Sequence, residues 1–449
     1  MRIEQGCPVC EPHVDSAMSA RLTVSVFFCM LLSSAPFSAV CAPSESGILH
    51  GFRMQANDLA RHQYLVDLIP QLSAPEQEFA RQLLSMVDDE LGLYDKAITD
   101  FPFDERIQLR HPLPWADQAL ENSAYGIVSY VHDAGNINAA DAVDALAGAA
   151  AKHRIVLVNE AHDDAQTRVL IFAMLPRLRA LGYDYFAAEA LTESGSALTQ
   201  RGYPIASSGT EYLHEPLYGD ILREAIRLGY TIVAYDPVDS TVDRDAAQAE
   251  NLNREIFAEH PHARLFALVG YAHIDKAKGH LGAEMPMAMR LKQLTGIDPL
   301  SVDQTQFRNV EPSPHTGPYD QLIDIFHPRQ PIVLQLRGHL IWSSDPPRHD
   351  ISVILPEMPG NGRPSWLSLD GLRHPWPIST AICHEITPCV VEARYGNESD
   401  DAIPADRYTF LGAHASSELY LRPGAYRLRS WDIDGKTLDE AVINVAGIR

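Results

Sequence analysis

Short apolar runs alternate with amphipathic stretches from about residue 155 onward. Ile155–Val158 is a run of four aliphatic residues, which is typical of a strand buried on both faces. Similar runs recur, and segments with helical spacing separate them. This alternation predicts βαβ units with right-handed crossovers and a mostly parallel sheet. The predicted strands are Ile155–Val158, Tyr185–Ala188, Thr231–Tyr235, Leu265–Val269 and Leu300–Val302, with further strands at Pro331–Leu336 and Ile351–Leu355.

Helices are predicted between these strands. Pro176 lies inside the first helix, and because proline lacks a backbone N–H it is expected to kink or restart the helix there. Gly182 and Gly229 follow two of the helices, at the position where a left-handed residue commonly ends a helix. The predicted helices are Arg168–Leu181, Tyr218–Leu228, Asp245–Glu259 and Met285–Leu294.

Two regions with different patterns flank this core. Residues 43–150 read as helical, with a capping box at Ser73 and Glu76 and a second helix expected to open at Asn138–Asp141. Residues 376–449 contain short alternating segments separated by the turn signals Pro423-Gly424 and Asp434-Gly435, which predicts a small antiparallel β-sandwich. The predicted fold class is therefore α/β: a mostly parallel sheet flanked by helices in residues 151–375, an N-terminal helical layer, and a small C-terminal antiparallel β domain.

The first 42 residues read as a leader rather than as part of the fold. Met18–Arg21 is a short basic segment, Leu22–Leu32 is apolar, and Val40–Ala42 fits a signal-peptidase cleavage pattern. We therefore expect translation to begin at Met18 and the product to be exported, either to the periplasm or out of the cell. The alternative is an uncleaved anchor spanning Leu22–Ala42. Cleavage would leave no stable membrane span.

Cysteine usage agrees with export. Beyond the leader the chain contains Cys383 and Cys389 alone, and an even pair in an exported protein predicts one disulfide, with two buried thiols as the alternative. Cys7 and Cys10 precede the signal segment and have no partners at a spacing that would suggest a metal or redox motif.

Charge and motifs exclude several functions. The formal net charge of −23 argues against nucleic acid as a partner, because phosphates are bound by excess lysine and arginine. No glycine-rich phosphate loop follows a predicted strand, which disfavours nucleotide binding. A Gly-x-Ser-x-Gly elbow is also missing from the sequence, which counts against a serine nucleophile of the α/β-hydrolase type.

Ionisable residues stand at the ends of four successive predicted strands. Glu160 and His162 follow the first, Glu189 the second, Asp236 the third and His273 the fourth. Because parallel strands bring their carboxyl ends to one edge of a sheet, these side chains are expected to converge. A single carboxylate in such a place is commonly a helix cap or an ion-pair partner. Ionisable residues at the ends of four successive strands favour a functional site.

Acid–base chemistry is the expected use of this cluster. His162 or His273 could take a proton from water, assisted by Glu160. Neighbouring carboxylates raise one another's pKa, so Glu189 could orient a group or donate a proton. Two histidines and several carboxylates could also hold a divalent metal, although no compact metal motif is present.

Three further residues are candidates for binding substrate. Arg168, early in the helix after Glu160, could hold an anionic group or stabilise an oxyanion, with a surface ion pair as the alternative. Asp236 precedes a proline and could instead belong to a turn. Arg254 is adjacent to Glu255 and could pair with it. The segment between Thr192 and Glu215 is expected to form a loop over the site and to set the substrate.

The motifs carrying these residues resemble the erythromycin esterase/ChaN/Tiki-like superfamily. The resemblance covers roughly residues 150–305 and rests on Asn159-Glu160-Ala161-His162, on Glu189, and on Val269–Ile274 with its Gly-x-x-His. The Glu-x-His spacing is nearer the ChaN-type pattern, and Asn159 stands where the family usually has glycine. The resemblance implies an α/β core with a cleft at the strand ends, and family members include esterases, metal-dependent proteases and haem-binding lipoproteins.

Two hypotheses follow, with a third in reserve. The first is an exported hydrolase that activates water against an ester or amide of a small-molecule or peptide substrate. The second is a periplasmic protein that binds haem or another small molecule in the same cleft without turnover. A divalent metal is compatible with the first, and haem is the less favoured cofactor. The third is a scaffold whose C-terminal β domain binds a partner or a polysaccharide.

Overall fold

An eight-stranded sheet forms the centre of the molecule. The structure, a computed structural model, describes residues 45–101, 137–237, 242–309, 318–336, 340–358 and 362–447. The predicted leader, its signal segment and the Cys7–Cys10 pair lie outside these residues. The strands of this sheet are β1 Asn138–Asp141, β2 Ile155–Glu160, β3 Tyr185–Ala188, β4 Thr231–Ala234, β5 Leu265–Gly270, β6 Leu300–Phe307, β7 Ile332–Gln335 and β8 Ile351–Ile354.

Most of the sheet is parallel, as the alternating pattern predicts. The strand order is β1-β7-β8-β6-β2-β5-β3-β4, and the antiparallel pairs are β1 with β7 and β7 with β8. β2 lies in the middle, parallel to β5 and β6 on its two sides, and all six of its residues are buried. The carboxyl ends of β2, β3, β4 and β5 therefore meet at one edge.

Helices cover both faces of the sheet. Apolar residues on one face of β2, such as Val156 and Val158, pack with the helix after that strand, whereas Ile155 and Leu157 pack with the helices before and after β5. The helices of this part are α5 Ala142–Ala150, α6 Gln166–Ala180, α7 Gly195–Arg201, α8 Pro216–Arg227, α9 Arg244–Leu252, α10 Met287–Thr295 and α11 Pro318–Phe326.

The N-terminal helices pack on the C-terminal strands. Val390 and Trp431 of those strands lie in the same apolar cluster as residues of the N-terminal helices. The capping box of Ser73 and Glu76 is confirmed at the start of the third helix. These helices are α1 Glu45–Arg53, α2 Asp58–Leu68, α3 Ala74–Glu90 and α4 Tyr94–Asp100.

The C-terminal region is an antiparallel β structure of two sheets, of four and two strands. Apolar side chains from both sheets, Val391 and Leu428 from one and Ile378 and Leu419 from the other, share one cluster, so the sheets pack face to face. A disulfide joins Cys383 and Cys389, as predicted. The strands are β9 His374–Ser379, β10 Cys389–Tyr395, β11 Asp406–Phe410, β12 Ser416–Leu421, β13 Gly424–Asp432 and β14 Thr437–Val445.

Two local predictions need correction. The second predicted helix is present as α5, but it begins at Ala142, where the Asp141 side chain caps it by accepting a hydrogen bond from the Asp144 backbone, and Asn138–Asp141 forms the edge strand β1. α6 does not restart at Pro176 but continues through it. One face of the helix near that proline is packed, since Leu175 and Leu178 are fully buried in the same apolar cluster, and this burial offsets the lost backbone hydrogen bond.

Gly182 and Gly229 end their helices with positive φ angles of 83° and 77°, as predicted. Within the described residues, no helix has the length and apolar character needed to cross a membrane.

Candidate functional site

Glu160 and His162 lie together at the carboxyl end of β2. Glu160 is fully buried, and its Oε1 lies 3.5 Å from Nδ1 of His162. The His162 side chain is 13% exposed, so its ring reaches the surface above the carboxylate. Its Nε2 has no hydrogen-bond partner in the part of the chain that the structure describes. Nδ1 therefore faces the acid at ion-pair distance, without a hydrogen bond between the two atoms.

Arg168 does not reach a substrate position. Its side chain is fully buried, where Nε donates to Glu160 Oε2 at 2.6 Å and Nη1 donates to Asp89 at 2.6 Å and Glu215 at 3.2 Å. Arg168 therefore forms neither the predicted substrate clamp nor a surface ion pair. Its hydrogen bond to Oε2 instead holds the Glu160 carboxylate in position.

Three carboxylates around one guanidinium leave an excess of negative charge. Burial, together with the charge of Glu215, raises the pKa of Asp89 well above its ordinary value despite the pairing with Arg168. Asp89 comes from the end of α3, so the N-terminal helical layer supplies one of the carboxylates that bind Arg168 beneath Glu160.

Glu189, at the end of β3, is held on two sides. Its Oε2 accepts a hydrogen bond from the Gly270 backbone at 2.5 Å, and its Oε1 accepts one from Arg244 at 2.6 Å. Burial alone would raise the pKa of Glu189, but the positive charges of His273, Arg244 and His162 outweigh it and leave the pKa lowered. Glu189 is therefore ionised near neutral pH, and of its two expected roles orientation fits while proton donation does not.

Gly270 brings Glu189 and His162 close to each other. A Cβ built on Gly270 would lie 2.9 Å from His162 Nε2 and 3.0 Å from Glu189 Oε1. Because Gly270 has no side chain, the His162 imidazole and the Glu189 carboxylate can both approach its backbone. The convergence expected from the strand ends is present here.

His273, whose charge also acts on Glu189, has its own acid partner. Nδ1 lies 2.8 Å from Asp245 Oδ1, and Nε2 lies 3.5 Å from Nη1 of Arg244. Burial would lower the pKa of His273, but the hydrogen bond to Asp245 and the charge of Glu189 leave it raised above its ordinary value. The His273 side chain is 16% exposed.

Of the two remaining substrate-binding candidates, Asp236 contacts the cluster and Arg254 does not. Asp236 belongs to the cluster, where Arg244 donates to both of its carboxylate oxygens at 2.9 and 2.7 Å and Gln248 donates at 2.8 Å. It therefore positions Arg244. Arg254 pairs with Glu255 at 3.1 Å and is 65% exposed, and no hydrogen bond or ion pair of the described residues joins it to the cluster. The ion-pair alternative holds for Arg254, and the substrate-binding prediction does not.

Two tyrosines enclose the His162 ring. Tyr212 stacks on it with the ring centres 3.9 Å apart, and Tyr271 meets it edge-on at 5.0 Å. The Tyr271 hydroxyl accepts the His162 backbone N–H and donates to Asp163 at 2.8 Å. Because Tyr212 lies between Thr192 and Glu215, the segment expected to cover the site does reach it.

Asn159 has a structural role that glycine would lack. Its side-chain amide donates to Asp303 at 2.6 Å, and its carbonyl oxygen accepts the Gln304 backbone N–H at 2.8 Å. These bonds tie the end of β2 to β6 immediately before Glu160. Asn159 therefore fixes the strand that carries the site.

Sequence reasoning missed several members of the cluster. Arg244 and Asp245 open α9, where charged residues are usually read as helix-end or surface groups. Glu215 caps α8 and was identifiable as a helix-end residue, but not as a partner of Arg168. Tyr271 stands inside the Gly270–His273 motif, and its position is the one signal that could have drawn attention to it.

Whether this cluster holds a metal was left open by the sequence, and its residues are not those that come together as a compact ligand set in the described part of the chain. Within the described residues, one group of three acidic or histidine side chains places its ligand atoms within 4.8 Å of one another, and none of its members is Glu160, His162, Glu189 or His273. In this cluster Glu160 and Glu189 are instead engaged by Arg168 and Arg244. The cluster is arranged as ion pairs around imidazoles rather than as a metal cage.

Comparison with known proteins gives a distant structural likeness. No protein-family model matches the chain, and no curated protein matches it. The structure of the type III effector HopBA1 is 18% identical with a TM-score of 0.28, over 39% of this chain and 88% of that one. Two structures of bacterial protein toxins are 15% identical with a TM-score of 0.29, and the chain spans a little over half of their length (57% and 56%).

Proposed function

We propose that the protein is an exported hydrolase of the erythromycin esterase/ChaN/Tiki-like type, in which histidine-activated water attacks an ester or amide. One observation carries this proposal: two imidazoles, each facing its own carboxylate, both lie close enough to the buried Glu189 to lower its pKa. General acid–base catalysis needs such a pair at a partly exposed position. The residues that meet are those on which the family resemblance rests.

In this proposal His162 is the general base and His273 is the general acid. His162 takes the proton of the attacking water at Nε2, and Glu160 stabilises the resulting imidazolium through Nδ1. The raised pKa of His273 keeps this imidazole protonated to higher pH, which suits it to return a proton to the leaving group. Glu189 remains ionised and holds Arg244 in place.

Arg244 takes the charge-stabilising role first considered for Arg168. Its side chain is 39% exposed, and its Nη1 faces His273 while Nε and Nη2 are held by carboxylates. A guanidinium fixed in this way can donate to an oxygen on which negative charge develops, without rearranging during the reaction.

The test is hydrolysis by the purified chain of a panel of p-nitrophenyl esters, lactones and fluorogenic peptides. We expect turnover of at least one class, abolished by Glu160→Gln. His262→Ala is the matched control, because His262 is an exposed histidine remote from these contacts. Turnover that survives Glu160→Gln would contradict the proposal. So would a panel without turnover combined with a Soret band on adding haem, which would support the binding-protein alternative.

Asp245→Asn is expected to move the basic limb of the pH profile of kcat/KM to lower pH by about 1 unit or more. His273 acts as an acid only while protonated, so activity is lost as pH rises through its pKa. Removing the Asp245 charge lowers that pKa, and activity is then lost earlier. Asp243→Asn, two residues away on an exposed carboxylate that does not contact His273, should leave the limb in place. A limb that stays or moves upward in Asp245→Asn would refute the acid role.

Gly270→Ala is expected to reduce kcat by at least about tenfold while leaving the fold intact. The added methyl group would stand 2.8 Å from His162 Cε1, and the stacking of Tyr212 on the ring restricts its retreat. Steady-state kinetics and thermal unfolding measured on the same preparation separate the two effects. A variant with unchanged kcat would show that the close approach of His162 and Glu189 is unimportant for turnover.

A further inference from the structure

A second group of ionisable side chains lies outside the cluster already described. Asp58 in the first turn of α2, Glu90 at the end of α3 and His214 in the turn Glu211–His214 place one ligand atom each within 4.8 Å of one another. We propose that these residues bind a divalent transition-metal cation such as Zn²⁺. One imidazole nitrogen and two carboxylate oxygens form a donor set that zinc accepts, with solvent completing the coordination.

Glu90 is the strongest indication of a missing cation. The residue is 1% exposed, and neither of its carboxylate oxygens has a hydrogen-bond partner among the residues that the structure describes. A buried polar group without a partner is costly. Glu90 also lies at the C-terminal end of α3, where the helix dipole disfavours a negative charge. The nearby Arg407 donates to the Glu90 backbone carbonyl and not to its side chain.

His214 is oriented as a metal-binding histidine. Its Nε2 lies 3.3 Å from the Ala206 carbonyl oxygen, and its Nδ1 lies 3.2 Å from Asp58 Oδ1. Ligating histidines usually donate their second ring N–H to a carbonyl or carboxylate. When Nε2 carries the proton toward Ala206, Nδ1 presents its lone pair to the carboxylates, and a cation between them would satisfy all three groups.

The neighbouring arginines do not neutralise every carboxylate of this group. Asp58 also contacts Arg407 at 2.9 Å and Arg61 at 3.2 Å, but Arg407 is paired in turn with Glu392 at 3.1 Å. Within the described part of the chain, Glu90 therefore remains a buried carboxyl group without an ion-pair partner. The His214 side chain is 17% exposed, which provides an entry path from solvent.

This site would connect the helical layer to the proposed active site. The turn that carries His214 also carries Tyr212, which stacks on His162, and it leads directly into Glu215, which pairs with Arg168. A bound cation would hold the turn against α2 and α3 and so keep Tyr212 over the imidazole. This effect on activity rests on the proposed function, whereas cation binding does not.

The test is titration of the chelator-treated full chain with ZnCl₂ alone, by calorimetry and by metal analysis, with Cys7, Cys10, Cys29 and Cys41 replaced by serine to remove competing thiols. We expect one equivalent of zinc and a rise in the thermal midpoint on binding. His214→Gln and Glu90→Gln should weaken binding by at least about 100-fold. Glu90→Gln should not lower the midpoint of the metal-free protein, because it replaces a buried acid whose two oxygens have no hydrogen-bond partner among the described residues.

Controls locate the metal. His62→Gln alters another histidine–carboxylate pair of α2 and α3, with Asp88, and should retain zinc. His162→Ala should also retain it. Absence of zinc binding, binding unchanged in both Glu90→Gln and His214→Gln, or binding lost in His162→Ala would each overturn the proposal. Because the readout is metal content, zinc binding without hydrolysis would leave this inference standing and count against the proposed function alone.

Discussion

Replacing Arg168 with leucine is expected to lower the free energy of unfolding by at least about 3–5 kcal/mol. The guanidinium is fully buried and is shared by Glu160, Asp89 and Glu215, so its removal leaves these carboxylates buried together without a counter-charge. This loss is a large fraction of the stability of a typical domain, so we expect much of the variant to be unfolded at physiological temperature.

Urea denaturation followed by circular dichroism measures this effect. Arg168→Lys restores a charge but not the planar fork that reaches several carboxylates, so it should recover part of the loss. Arg254→Leu is the control, because its exposed ion pair with Glu255 should change stability by no more than about 0.5 kcal/mol. An Arg168→Leu protein that unfolds at the same urea concentration as the parent would show that the ion pairs of Arg168 do not stabilise the fold.

His162→Ala is expected to reduce kcat/KM by about 10²–10⁴-fold, the usual contribution of a general base. The reason is geometric: His162 has an open Nε2 beside Glu189, while Glu160 is locked by Arg168 and is fully buried. No other group of the cluster stands in the same place.

Kinetics on the best substrate of the panel give this number. His162→Ala leaves Tyr212 without its stacking partner, so thermal unfolding must be measured alongside. A loss of activity that equals the fraction unfolded would mean that His162 is structural. A loss of about 10²-fold or more in fully folded protein supports its role as the base.

The sheet could be predicted because β2, β3 and β5 are buried on both faces and therefore read as continuous apolar runs. The meeting of the residues at their ends then follows from parallel topology. The short edge strand β1 was missed, since Asn138–Asp141 carries polar residues and pairs along one side only with β7.

The sequence could not distinguish Arg168 from Arg244. Both stand near the start of a helix that follows a strand. Arg168 turns inward because Asp89 and Glu215, which are 79 and 47 residues away, provide buried partners for it. Such partners are set by tertiary packing, and no local pattern indicates them. Arg244 remains at the rim because Asp236 and Glu189 hold it there.

The central claim is that His162 and His273 act as one unit around Glu189, and the double-mutant cycle of kcat/KM tests it most directly. We predict that His162→Ala and His273→Ala each remove most of the hydrolysis and that the double variant is about as slow as the slower single variant, as is found for residues that act together. Losses that multiply in the double variant, or single variants that retain the parent rate, would contradict the account.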